Sequence, residues 1–226
     1  MIQDFPNGKL WMSDEPLEAI AREASWAQDP LNSVLAILSI VLLIIFIRDF
    51  FILWTPIMRC LVRAKANIEM EHSFQLARTR NRAALLLVLP MLLISERFGL
   101  ISESMWITLA VVAGYLVLKR LMSELVLPRR LPAEMRVAVR RALYTYFIVL
   151  AAIMLVTVGL WTQFRWDGDI MKIVFGAEAL AILALSTLRE GEILSSTFPP
   201  FVSFLYLCAL EIVPAAGLIA AGLVVD

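Results

Sequence analysis

The sequence is poor in the residues that build disulfide frameworks, metal sites and most hydrolytic active sites. Its 226 residues include only two cysteines and one histidine. Cys60 lies in a basic segment and Cys208 in an apolar run, so the two thiols neither staple a fold nor supply a zinc site. His72 has no cysteine near it and is typical of a solvated surface residue. We therefore expect no metal, no cofactor and no serine-hydrolase chemistry.

The sequence also lacks a net charge and a removable leader. Lys and Arg number 20 against 20 Asp and Glu, so no global charge favours nucleic acid as a partner. The first residues contain no basic stretch followed directly by an apolar core and a cleavage site, so we expect no removable signal peptide. The first apolar segment then has to act as the insertion signal.

Apolar residues are what the sequence has in excess. The hydrophobic content is 61% and the mean hydropathy +0.81, values that a water-facing surface does not permit. Segments of roughly 20 apolar residues cross a hydrocarbon core, and six candidates are 31–54, 81–98, 104–127, 142–164, 170–188 and 201–225. We predict an all-α, polytopic transmembrane bundle. Segment 81–98 has a short apolar run, so a re-entrant or interfacial helix stays open there.

The basic residues predict the orientation of the bundle. Seven, from Arg48 to Arg82, are counted with the segment after the first span, seven, from Lys119 to Arg141, with the segment after the third, and Arg189 follows the fifth, so 15 of 20 share one side. The positive-inside rule then places both termini outside the cytoplasm. We predict two regions: an acidic tail, residues 1–30, with a short interfacial helix or a frayed end, and one membrane domain, residues 31–226.

Two glutamates fall near the middle of predicted spans. Glu178 lies in the fifth span and Glu211 in the sixth. A charge at that depth costs about 2.5–3.5 kcal/mol on insertion scales, so each side chain should face the bundle interior, pair with a donor or be protonated. Because the two spans are consecutive and antiparallel, the carboxyl groups could meet. They would then form a proton or ion site, or serve as interhelical hydrogen-bonding groups, and no basic residue within a span is an obvious charge partner.

The last predicted span has a distinctive sequence around Glu211. Cys208 lies one helical turn before it, and Pro214 removes a backbone hydrogen bond just after it. We predict a kink and a free carbonyl beside Glu211. Small residues follow at four-residue spacing, Ala216 with Ala220 and Gly217 with Ala221, and they suit packing within the chain or a homodimer.

Three strings resemble one protein family. They are Glu71-His72-Ser73-Phe74, Ser95-Glu96 and the run from Phe204 to Pro214. Together they are similar to an uncharacterised family of integral inner-membrane proteins of the Bacteroidota, a domain of unknown function. Its closing Tyr-x-Leu-Cys-x-Leu-Glu-Ile-x-Pro-like motif and its second-span glutamate map onto Tyr206, Cys208, Leu210, Glu211, Ile212, Pro214 and Glu96. The resemblance implies a bacterial cytoplasmic membrane and periplasmic termini, and it carries no mechanism.

Three functions are compatible with these features. The first is a non-enzymatic scaffold or subunit of a cell-envelope complex, embedded in the lipid bilayer and bound to an envelope protein or to a second copy. The alternative is a small, dimeric proton- or ion-linked transporter or channel that uses Glu178 and Glu211. A lipid-processing enzyme ranks last, because the outer loops supply few acids and bases for a catalytic cluster.

Overall fold

The computed structural model describes residues 30–100, 105–126, 132–164, 168–214 and 216–217. Within these ranges the chain is helical and contains no strand, which confirms the all-α prediction. The helices are α1 (Pro30–Val62), α2 (Lys65–His72), α3 (Phe74–Phe98), α4 (Met105–Val126), α5 (Ala133–Phe164), α6 (Gly168–Ser195) and α7 (Pro200–Leu207), with α7 continuing into a π-helical segment, Cys208–Ile212. The predicted interfacial helix of the tail lies outside the described residues.

Three helices in the described part are long and apolar enough to cross a membrane. They are α1, α5 and the Ile170–Ser195 part of α6. These helices make the chain a helical membrane protein by length and composition. In α3 only 13 uncharged residues separate Arg82 from Glu96, about 20 Å of helix, which is shorter than a hydrocarbon core.

Basic residues gather at one end of the bundle, where α1, α4 and α6 end and α3 and α5 begin. The Arg189 Nε of α6 donates to the Leu61 carbonyl of α1 at 2.9 Å. Arg141 of α5 pairs with Glu71 of α2 at 3.0 Å. Consecutive long helices therefore run antiparallel, and the charges that follow the apolar segments meet at one end, here called the basic end.

Aromatic residues gather at the opposite end. The Phe98 ring at the end of α3 packs edge-on against Trp161 of α5 and Phe175 of α6, with ring centroids 5.1 and 5.2 Å apart. The Arg97 guanidinium lies over the Trp161 ring at 4.9 Å from its centroid. This end, here called the aromatic end, joins α3, α5 and α6 through ring contacts.

Helix α4 is polar on its buried face and apolar on its exposed face. Thr108, Lys119 and Ser123 are buried, whereas Leu116 and Val117 are exposed. A bilayer reverses the usual preference, because lipid tails accept apolar side chains and the bundle interior must accept the polar ones. The helix therefore delivers a lysine into the protein interior.

Candidate functional site

A buried ion pair joins α4 to the π segment. The Lys119 Nζ donates to the Glu211 Oε1 at 2.5 Å. The Glu211 side chain is 1% exposed and that of Lys119 is 11% exposed. A buried ammonium and carboxylate at this distance form a charge-assisted hydrogen bond, which fixes the last helix against α4.

A second buried carboxyl group completes the site. Glu190 of α6 is fully buried, and its Oε1 accepts a hydrogen bond from the Ser186 hydroxyl at 3.3 Å. Its carboxyl group lies within hydrogen-bonding reach of Glu211. Two carboxyl groups form a hydrogen bond only when one of them carries a proton. Lys119, Glu190 and Glu211, here called the Lys119 cluster, therefore combine two acids with one base.

The local fold at the cluster depends on a close helix contact and on an irregular turn. A Cβ on Gly191 would lie 2.9 Å from the Leu207 Cδ1, so glycine permits α7 to approach α6 next to Glu190. Beyond α7, the Val213 amide donates to the Cys208 carbonyl five residues earlier. This π turn inserts one extra residue before Pro214, and such turns are frequent at functional sites. The π segment lies beside Glu211, where the sequence predicted a kink and a free carbonyl.

A cavity of about 720 Å³ opens beside the Lys119 cluster. Lys119, Glu190 and Glu211 all line it, together with Arg140 and Arg141 from α5. Among the described residues, nothing donates a hydrogen bond to the buried Oε2 of Glu211. The cluster therefore combines an unsatisfied buried acceptor with a path for a ligand or a proton.

The structure places Glu178 apart from this cluster. The Thr157 hydroxyl of α5 donates to the Glu178 Oε1 at 2.5 Å. Glu178 precedes Glu190 by 12 residues of the same helix, which is about 18 Å along its axis. The suggestion that Glu178 and Glu211 meet is therefore wrong, because Glu211 instead faces Glu190 and Lys119.

The motif residues have separate surroundings. The Glu96 carbonyl accepts the Gly99 amide at the aromatic end, where Gly99 ends α3 with φ 56°. The Tyr206 ring packs on Phe198 with centroids 5.5 Å apart. Cys208 is a free, half-buried thiol at the start of the π segment, and Pro214 is buried just after it. Of these residues, Cys208 begins the irregular turn that carries Glu211, and Pro214 follows it.

Sequence reasoning missed Lys119 and Glu190. The expectation that no basic residue within a span pairs with the glutamates is wrong, since Lys119 lies inside α4 and bonds Glu211. Lys119 had been grouped with the basic residues that follow the third span, and Glu190 had not been singled out. Helical spacing would have indicated Glu190, because Ser186, Glu190 and Leu194 recur every four residues along one face of α6, and all three are buried.

Two other charge groups join the helices. Buried Asp49 of α1 accepts two hydrogen bonds from Arg82 of α3, one of them from Nε at 2.6 Å; we call these two residues the Asp49 pair. Glu71 of α2 forms two ion pairs: its carboxylate oxygens lie 2.6 Å from the Arg80 Nη2 and 3.0 Å from the Arg141 Nη1. Within the described ranges, no group of three His, Cys, Asp or Glu residues is arranged to hold a metal ion.

Comparison with known proteins gives no relative on which to base a function. No protein-family model, curated protein or solved structure matches the chain. The functional argument therefore depends on the geometry of the site.

Proposed function

We propose that the chain is a small proton-linked transporter of a bacterial cytoplasmic membrane, with the Lys119 cluster as its proton-binding centre. The observation that carries the proposal is the excess of acid in the cluster. With both carboxylates ionised and the ammonium charged, the buried group would carry one net negative charge. A net charge out of water is costly, so binding of one proton or cation neutralises the cluster.

The proposal assigns that proton a position. It would sit between the carboxyl groups of Glu190 and Glu211, which lie within hydrogen-bonding reach, as in acid pairs that share a proton. Lys119 holds Glu211 from α4, and the Tyr115 and Tyr146 hydroxyls are near enough to interact electrostatically with the group. The cavity supplies an exchange route, and the π segment supplies a helix irregularity of the kind transporters use.

The proposed topology has six spans with both termini in the periplasm. Its support is the asymmetry between the two ends of the bundle: Arg141 and Arg189 belong to a dense basic end, and the aromatic end holds few cations. The basic end would face the cytoplasm. The proposal includes membership of the Bacteroidota inner-membrane family that the motif around Glu211 resembles. A homodimer would use the exposed small residues Ala216 and Gly217.

The test is proton flux into liposomes that contain the purified protein. We expect a proton gradient or a membrane potential to drive flux through the native chain, and Glu190→Gln and Glu211→Gln to reduce it at least about tenfold. Glu178→Gln is the matched control, since it removes a half-buried carboxylate on the same helix as Glu190. Equal flux in all four proteins, at matched folded yield, would contradict the proposal.

The second candidate is a non-enzymatic scaffold or subunit of a cell-envelope complex. The observation that favours it is the row of exposed cations at the basic end, Arg59, Arg63, Lys65 and Arg78. Such a surface suits an acidic protein or anionic headgroups. Crosslinking from Lys65 in intact membranes tests it: a single abundant crosslinked partner, together with absence of proton flux, would support the scaffold over the transporter.

A further inference from the structure

The exposed apolar face of α4 forms part of the wall of the cavity beside the Lys119 cluster. Leu116, Val117 and Leu121 of α4 line the cavity, and all three are exposed large apolar side chains. Apolar side chains exposed around a cavity mouth favour an amphiphile over a small soluble ion. Its volume, about 720 Å³, lies within the usual range of small-molecule sites.

The buried end of the cavity is acidic. Glu190 and Glu211 are both 1% exposed and both line it, against one lysine. The Glu211 Oε2 has no hydrogen-bond donor among the described residues. A ligand cation with N–H groups would satisfy this oxygen and bring the net charge of the cluster from minus one to zero.

The outer end of the cavity is basic. Arg120 and Arg140 share the single carboxylate of Glu124, at 3.6 and 2.5 Å. Arg141 shares Glu71 with Arg80, so each of these two groups carries one net positive charge. The buried Nε of Arg140 has no acceptor within the described part of the chain. A ligand anion, such as a phosphate, would fit between these arginines.

We propose that the cavity binds the headgroup of a zwitterionic aminophospholipid, with its ammonium on Glu190 and Glu211 and its phosphate on Arg140 and Arg141. The order of charges carries the assignment: acid at the buried end, base at the mouth, apolar walls facing lipid. This inference depends on the proposed function, because it identifies the ammonium as the cation that replaces the proton at the same carboxylates.

The test measures lipid retention by the purified full chain with native mass spectrometry. Four probes distinguish the contributions of the ammonium, its N–H groups and the acyl chains. They are phosphatidylethanolamine, phosphatidylglycerol without the ammonium, phosphatidylcholine without N–H groups, and soluble glycerophosphoethanolamine. We expect phosphatidylethanolamine to be retained at least tenfold more than the other three. Equal retention of phosphatidylglycerol, or equally tight binding of the soluble headgroup, would overturn the proposal.

Variants locate the site. Glu190→Gln should remove the preference for phosphatidylethanolamine over phosphatidylglycerol, and Arg140→Gln should weaken retention of both, since both carry phosphate. Glu178→Gln should change neither, and it reports nonspecific effects on α6. Monodispersity in detergent verifies that each variant is folded, and an unchanged lipid preference in folded Glu190→Gln would refute the assignment.

Failure of this inference differs from failure of the proposed function. Proton flux that depends on Glu190 and Glu211 without lipid preference would overturn the lipid site alone. A phosphatidylethanolamine preference that Glu190→Gln removes, with no flux in any variant, would leave a lipid-binding protein and overturn the transporter.

Discussion

The Asp49 pair and the Lys119 cluster both bury carboxylates between helices, but their charges differ in balance. Asp49 is completely buried, and its one negative charge meets one arginine through two hydrogen bonds. The Lys119 cluster places two carboxyl groups against one lysine and leaves the Glu211 Oε2 without a donor among the described residues. The charges of the Asp49 pair are balanced, whereas the Lys119 cluster needs one more cation or proton to be neutral.

This difference shows that burial alone does not distinguish a structural charge from a functional one. Arg82 is 56% exposed, so its guanidinium contacts both buried Asp49 and the surface. The pair holds α1 against α3. Lys119 is buried, and the acids it contacts line a cavity. Charge balance and access to a cavity, more than depth in the membrane, mark the Lys119 cluster as the candidate site.

Removal of the single cation of the cluster should have the largest effect on stability. Lys119→Met leaves two buried carboxyl groups without an ion-pair partner, at a cost of about 3–5 kcal/mol. Unfolding in mixed detergent micelles measures the loss. The double variant with Glu190→Gln should recover part of it, because only one acid is then left unpaired. A loss below about 1 kcal/mol would mean that Lys119 does not balance the acids.

Substitution of Arg82 and substitution of Asp49 should reduce the stability by unequal amounts. Arg82→Met leaves the buried carboxylate of Asp49 without its partner, and we expect a larger loss of stability than for Asp49→Asn. Asp49→Asn should cost about 1 kcal/mol, since the freed Arg82 reaches water. The same unfolding assay compares the two variants. Equal losses would remove the distinction between the buried and the exposed partner.

Glu178 is a carboxylate outside the Lys119 cluster and serves as a reference for the carboxylates within it. Glu178→Gln keeps a hydrogen-bond acceptor for the Thr157 hydroxyl, so the change in stability should not exceed about 0.6 kcal/mol, the average value for hydrogen bonds between membrane helices. Proton flux should stay at the native level. A loss of flux in this variant would extend the functional site along α6, beyond the Lys119 cluster.

The smallest effect is expected at the helix contact beside Glu190. Gly191→Ala places a methyl group 2.9 Å from the flexible tip of Leu207, and the strain offsets the helix gain of about 0.5–1 kcal/mol from alanine. Gly176→Ala on the same helix meets nothing within 4 Å and should show that gain undiminished. Thermal unfolding of both variants measures the difference. Equal changes in unfolding temperature would mean that Leu207 of α7 does not restrict the space beside Gly191.

The sequence predicted helices better than it predicted their ends or their partners. Segment 142–164 was expected from its apolar run, but α5 begins at Ala133, because Arg136 and Arg140 continue the helix beyond the apolar part. An apolar run marks the stretch that suits lipid, whereas a helix extends as far as its backbone hydrogen bonds and contacts allow.

The same limit explains the incomplete site. Glu211 was identifiable because it interrupts a long apolar run. Lys119 and Glu190 lie next to other charges, Arg120 and Arg189, so Lys119 was grouped with the basic segment and Glu190 was not singled out. Which face of a helix each charge occupies depends on packing, and only the structure shows that both face inward while Arg120 is exposed.

The π segment also makes the site sensitive to chain length. A π turn holds one residue more than an α turn, and each residue rotates a helix by about 100°. Deletion of Ala209 would let Cys208–Ile212 become regular helix. Glu211 lies inside this turn, so its rotation about the helix axis relative to α7 would change and its contacts with Lys119 and Glu190 would be disturbed. A one-residue deletion here would thus leave the hydrophobicity of the segment unchanged and still disrupt the Lys119 cluster.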